Sequence, residues 1–247
     1  MTRKTFFAAI TAFVASFIFS AGVSANDGAY QVVSPDGHLS ATIVVGSDIT
    51  YTVSRDALQL IAPSHISMTL SDGIVFGQDD KVRKVRRDSR DQVWQATVYK
   101  KSDVRDHYNE MTLEFKEFSL TFRAYDDGVA YRFASKLKGD FTVMSEKAEF
   151  AFAKDWDAFI PYVKQHTKTL ETQYFNSFEN TYKEHRLSEW NKARLAFAPL
   201  VVNADNGVKV LLTEADLLDY PGMFLYNEGD ASTLSARFAP YPKEMKQ

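Results

Sequence analysis

Carboxylates are the residues of this chain whose setting could do chemistry. Glu179 lies among aromatics and amides in Ser177-Phe178-Glu179-Asn180-Thr181-Tyr182. A glutamate so placed can ligate a hard cation, because Ca²⁺ takes carboxylate and carbonyl oxygens. It can equally hold sugar hydroxyls, or pair with Lys183 or Arg186. A second acidic group, Glu214, Asp216 and Asp219, follows the apolar run Val208 to Thr213. Two carboxylates flanking a glycosidic bond would suit glycoside hydrolysis. Acids at that position also begin and cap helical turns. The five histidines, His38, His65, His107, His166 and His185, are scattered, and no two stand at metal-ligand spacing. There is no G-x-S-x-G elbow, phosphate-binding loop, H-E-x-x-H pair or dinucleotide fingerprint in the chain.

Elements that must position these acids are read from periodicity. Glu179 falls in the stretch Thr169 to Tyr182, which has neither strand nor helix period and is too aromatic for a disordered linker. It is expected to face a sugar site. On either side the chain reads as short strands. Tyr30 to Ser34 and Leu39 to Val45 flank Ser34-Pro35-Asp36-Gly37, a turn in which Pro presets φ and Gly accepts a positive one. Ile49 to Ser54 alternates apolar and polar residues, as a half-buried strand does. Leu58 to Ile61 and Ile66 to Leu70 read as two strands separated by Pro63. Glu110 to Lys116 and Phe118 to Ala124 alternate strictly and are expected to pair as a hairpin. Val129 to Phe133, Phe141 to Met144, Leu195 to Val202, Val208 to Thr213 and Leu234 to Phe238 complete the set, with at most a helical turn at Ser188 to Lys192. Short strands at this spacing predict an all-β fold, a large antiparallel β-sandwich or a barrel.

Charge and composition narrow the function classes. The basic run Lys81 to Arg90 is interleaved with acids and reads as a charged edge strand, where charge discourages edge pairing. With a net charge of -3 there is no electrostatic case for nucleic acid. Nineteen Phe and 12 Tyr support a large aromatic core and also suit carbohydrate surfaces. Arg3 and Lys4, the apolar run Phe6 to Ala21 and Val23-Ser24-Ala25 form a secretory signal peptide with cleavage expected after Ala25. No Cys follows that run, so a lipoprotein anchor and any disulfide are excluded. Export without disulfides suits a bacterial periplasm, with no membrane attachment after cleavage.

Taken in order, Ser34-Pro35-Asp36-Gly37, Asp127-Gly128-Val129-Ala130-Tyr131-Arg132-Phe133, the Glu179 segment and Thr213 to Met223 resemble the N-terminal domain of glycoside hydrolase family 97. The likeness runs essentially the whole chain and is to a periplasmic α-glucosidase of starch utilisation. It implies a signal peptide at 1–25 and, over 26–247, a β-sandwich similar to galactose mutarotase folds. In the family a catalytic (β/α)₈ barrel carrying the acid and the base or nucleophile follows the sandwich. The resemblance implies a Ca²⁺ shared with that barrel, for which Glu179 is the sandwich's ligand, with Glu184 and Glu189 as alternatives. The implied partners are the barrel and an α-gluco-oligosaccharide. This chain reaches Gln247 without a barrel, so no catalytic residue is expected in it and no glycoside hydrolysis by it alone. Two other readings stay open: a stand-alone periplasmic carbohydrate-binding module, and a mutarotase. The second needs a His acid and a Glu base across one sugar ring, and no such pair is recognisable.

Overall fold

The computed structural model describes residues 28–164, 169–218, 220–229 and 231–241. The predicted signal peptide, His166 and Asp219 lie outside the described residues. Among those described, the chain forms β1 (Gly28–Val33), β2 (Leu39–Val45), β3 (Ile49–Arg55), β4 (Leu58–Leu70), β5 (Val75–Phe76), β6 (Lys84–Gln95), β7 (Asp103–Glu114), β8 (Phe118–Tyr125), β9 (Val129–Ser135) and β10 (Val143–Ala151). Then follow β11 (Asp157–Ile160), β12 (Lys183–Arg186), β13 (Ala196–Phe197), β14 (Leu200–Asn203), β15 (Lys209–Leu212), β16 (Met223–Tyr226) and β17 (Thr233–Phe238). Helical structure among the described residues is limited to three single 3₁₀ turns, one of them Leu187–Glu189 where a helical turn is expected. None of this is a helix long and apolar enough to cross a membrane.

All strand pairing is antiparallel and falls into three sheets. The largest has nine strands in the order β1-β2-β3-β4-β10-β17-β16-β13, with β5 beside β4. A four-stranded sheet, β6-β7-β8-β9, packs over its β1-β2 end. A second four-stranded sheet, β12-β11-β14-β15, shares the same apolar core. The two-residue period decides this arrangement. In β2, β3 and β8 alternate residues are buried, so Ala41, Ile43, Tyr51 and Val53 meet Leu120 and Phe122 in one core. Aromatic rings fill it. Phe118 stacks on Phe115 at 4.4 Å and on Phe76 at 4.6 Å, while Phe122 lies 5.5 Å from Tyr131 and 5.9 Å from Tyr51. Each such ring contributes roughly 1.5–3 kcal/mol by burial alone. The all-β sandwich expected from the sequence is the fold found.

Local chemistry explains the turns and one correction. At Ser34 to Gly37 the Ser34 hydroxyl donates to Asp36 and accepts from the Leu39 N–H at 2.9 Å, and Gly37 takes φ +82. Pro63 was expected to separate two strands, but β4 runs unbroken through it. The register with β3 slips beside Pro63, and the Ser64 hydroxyl takes over there, accepting from the Ala151 N–H at 2.9 Å and donating to the Ala62 carbonyl at 2.8 Å. Likewise Leu195 to Val202 is not one strand. Ala196–Phe197 joins the nine-stranded sheet through β16, and Leu200–Asn203 joins the smaller sheet through β11 and β15. Strand β10 extends well past the expected Phe141 to Met144. The basic run does lie on an edge strand, β6, which is almost wholly exposed.

Candidate functional site

The segment Thr169 to Tyr182 is irregular, as its sequence indicates, but it is firmly anchored. Gln173 is 1% exposed and bridges two distant backbone groups. Its Nε2 donates to the Ala193 carbonyl at 2.7 Å, and its Oε1 accepts from the Leu195 N–H at 3.0 Å. Tyr174 packs edge-on against Phe224, 5.1 Å between ring centres, and Phe178 lies 5.6 Å from the same ring. Phe178 adopts φ +53, an uncommon state for a bulky side chain. The Asn176 side chain holds it there by accepting from the Phe178 N–H at 2.7 Å. Asn180 donates to the Tyr162 carbonyl at 2.8 Å, and the Tyr182 hydroxyl donates to the Pro199 carbonyl at 3.1 Å. The result is a fixed loop whose outer surface shows Phe175, 84% exposed, with Phe178 and Tyr182 also open to solvent.

Glu179 projects from this loop, exposed, and makes no ion pair or hydrogen bond with a side chain of the described residues. Glu184 stands exposed on β12, register-paired with Phe159. Glu189 is partly committed, since its Oε2 accepts from the Arg186 N–H at 3.3 Å in a capping box. Among the described residues no three His, Cys, Asp or Glu side chains converge to hold a metal ion. These donors therefore fit a single contributed ligand and do not by themselves build a Ca²⁺ site, which needs 6–8 oxygens.

The second acidic group is divided between roles. Glu214 is structural, since both of its carboxylate oxygens accept from the Met223 N–H at 2.9 Å, closing the 213–223 excursion. Asp216 lies 3.7 Å from Arg132 on the surface. The sequence reading missed the neighbouring Glu146. Burial pushes its carboxyl above the ordinary range, opposed by the Tyr220 hydroxyl that donates to it at 2.8 Å and reinforced by the nearby charge of Glu214. The signal was available: strand alternation puts Glu146 on the same side of β10 as buried Ala148. Glu146 and Tyr220 line a shallow groove of about 890 Å³ that runs across β4, β10 and β17, with Ser67, Lys147, Glu149 and Arg237.

Histidines do not gather with one another. His38 meets Asp56 at 2.6 Å, an exposed pair that raises the imidazole above its usual range. His107 meets Asp126 at 3.1 Å. His185 stacks on Tyr162 and shares a 3.0 Å hydrogen bond with its hydroxyl. Burial pushes Tyr162 up to about 12, so it stays protonated as it accepts from the Asn191 N–H. No His faces Glu146 across the groove, which leaves a mutarotase pair without support among the residues lining it.

This sandwich with its aromatic loop matches the family model for the glycosyl-hydrolase 97 N-terminal domain over residues 32–242. The chain belongs to glycoside hydrolase family 97. A family relative, the retaining alpha-galactosidase of Bacteroides thetaiotaomicron, is 44% identical over 220 residues, 88% of this chain and 33% of that protein. A family 97 enzyme from Pseudoalteromonas sp. strain K8, solved in complex with acarbose, superposes with TM-score 0.72 at 25% identity, over 85% of this chain and 32% of that one. A β-arabinopyranosidase structure shares the fold, with TM-score 0.74 at 22% identity, over 85% of this chain and 35% of that one. The chain thus spans about a third of the length of these family 97 proteins.

Proposed function

We propose that residues 26–247 are the sandwich domain of an exported family 97 α-glycosidase whose catalytic carboxylates lie in a separate barrel. The supporting observation is the 44% identity, across 88% of the chain, to a retaining alpha-galactosidase. That level favours an α-galactoside as the substrate. An α-glucoside is the second reading, and it rests on the likeness to an enzyme that has been solved with acarbose and, as a variant, with panose. On either reading the domain supports the active site and does not perform the chemistry. Its aromatic loop would face the barrel, and Glu179 would lend one carboxylate to a Ca²⁺ there, the ion acting as a Lewis acid and template. Glu179 is the choice because it is exposed and uncommitted, whereas Glu189 is drawn into a helix cap and Glu184 stands on a strand. Export through a signal peptide at 1–25 would place the enzyme in the periplasm.

The test is turnover by the full-length enzyme on p-nitrophenyl α-galactoside and α-glucoside side by side. A higher kcat/KM on the galactoside supports the first reading, and the reverse supports the second. Turnover by residues 26–247 alone, lost in Glu146→Gln or Glu214→Gln, would overturn the supporting-domain reading.

A further inference from the structure

Strands β6 and β7 are longer than their neighbour β8. Pairing between β7 and β8 stops at Tyr108 with Tyr125, while β6 and β7 stay paired out to Gln95 with Asp103. The last rungs form a two-stranded ribbon that projects beyond the sandwich. Trp94 sits on this ribbon, 58% exposed. Folding does not account for an indole left in water, since burial is what a tryptophan normally gains from a fold.

The ring is nonetheless held. Its Nε1 donates to Asp106 at 3.4 Å, and Gln92 Nε2 donates to the same carboxylate oxygen at 2.9 Å. Register puts Gln92 opposite Asp106 and Trp94 opposite Val104, so all four share one face. That face continues inward as Arg123 over the Tyr108 ring at 4.4 Å, with Arg123 paired to Glu110 at 2.7 Å. On that face Arg90, opposite Tyr108, and Arg123 offset Asp106 and Glu110, and the only concentrated charge nearby among the described residues is Lys100 and Lys101 in the turn. On this face Val104 is the apolar neighbour of Trp94, exposed Val98 and Tyr99 lie in the adjoining turn and exposed Val93 on the opposite face, a strip smaller than a stable protein interface needs. Tyr99, also exposed, adds a second aromatic in the turn joining the two strands.

A held aromatic ring beside oriented amide and carboxylate groups, on a charge-balanced strand face, suits a ligand with apolar ring faces and many uncharged hydroxyls. We propose that the β6–β7 ribbon carries a carbohydrate site that takes a neutral pyranose chain, with Trp94 as the stacking platform and Gln92 and Asp106 as hydroxyl partners. The inference rests on the glycosidase reading for its choice of ligand.

The chain has three tryptophans, and Trp156 and Trp190 are only 7% and 3% exposed, so collisional quenching of fluorescence reads Trp94. Iodide quenching of the purified chain is measured with rising maltoheptaose, and separately with stachyose. Saturable protection by either sugar is expected. Calorimetry on Trp94→Ala should then show affinity at least about tenfold weaker, the scale of one aromatic contact. Trp94→Phe should recover part of it. No protection by either sugar up to its solubility overturns the proposal, as does a Trp94→Ala variant that binds normally or that changes oligomeric state instead. In the full-length enzyme Trp94→Ala should leave turnover of an aryl α-glycoside unchanged. An enzyme that cleaves neither aryl glycoside yet shows sugar-protected Trp94 would sink the glycosidase reading and spare this one.

Discussion

Replacing Gln173 with leucine should loosen the aromatic loop at its root. The side chain satisfies the Ala193 carbonyl and the Leu195 N–H, and Leu195 is fully buried. Leucine has similar volume but supplies neither partner. Leaving a buried polar group unpaired costs about 1–3 kcal/mol, so two groups cost about 2–6 kcal/mol together. Extra buried apolar surface returns about 1 kcal/mol, for a net loss of about 1–5 kcal/mol. In a domain of this size that lowers Tm by about 2–4 °C per kcal/mol. Urea unfolding of residues 26–247 measures it directly, as a lower midpoint at unchanged slope. Gln173→Glu is the companion variant. It keeps the acceptor for Leu195 but sets a carboxylate against the Ala193 carbonyl, so its folded-state pKa should rise. The variant should therefore approach wild type at low pH and lose stability as pH climbs through that raised value. A loss under about 0.5 kcal/mol for Gln173→Leu would mean that water or a loop shift satisfies both groups, and the anchoring argument would fail.

Three further outcomes follow from named contacts. Glu146 carries a raised folded-state pKa, so its ionisation opposes folding. Glu146→Gln, which still accepts from Tyr220, should raise Tm at pH 7, with the gain fading as pH falls through the ordinary carboxylate range in a thermal series. Phe118→Ala removes a fully buried ring stacked on two others and should cost about 3–5 kcal/mol by chemical denaturation. In the full-length enzyme, Glu179→Gln should reduce the rise in Tm on adding Ca²⁺. Glu184→Gln and Glu189→Gln should leave that rise intact, and a loss with either would move the assignment.

Much of the sandwich was legible because half-buried strands write their period into the sequence. The hairpin of β7 and β8, strands β2 and β3, and the charged edge at β6 all follow from alternation or charge alone. Strand β12, Lys-Glu-His-Arg, was not legible, because it has no apolar residue and exists only by pairing with β11. Pro63 misled for the opposite reason. A local rule against proline in strands was overridden by a bulge and by a serine whose hydroxyl accepts the Ala151 N–H from the neighbouring strand. At the candidate site the exposed acid Glu179 was visible by type and setting. Gln173 was not, since its partners lie about twenty residues further on and nothing local announces them. Glu214 looked chemical and proved to be a backbone clasp, a role that depends on where Met223 comes to rest.

The division of Ala196–Asn203 between two sheets has a mechanical consequence. Strand β13 is stitched to β16, and three residues later β14 is stitched to β11 and β15. Tyr162 also bridges to Ala196, so the linkage is tied at two points. Tension applied to the small sheet passes through a covalent tether only two residues long, Ala198 and Pro199, straight into the edge of the large one. The small sheet cannot peel away as a separate flap. A ligand or neighbouring domain that grips it would be gripping the whole sandwich as one rigid handle.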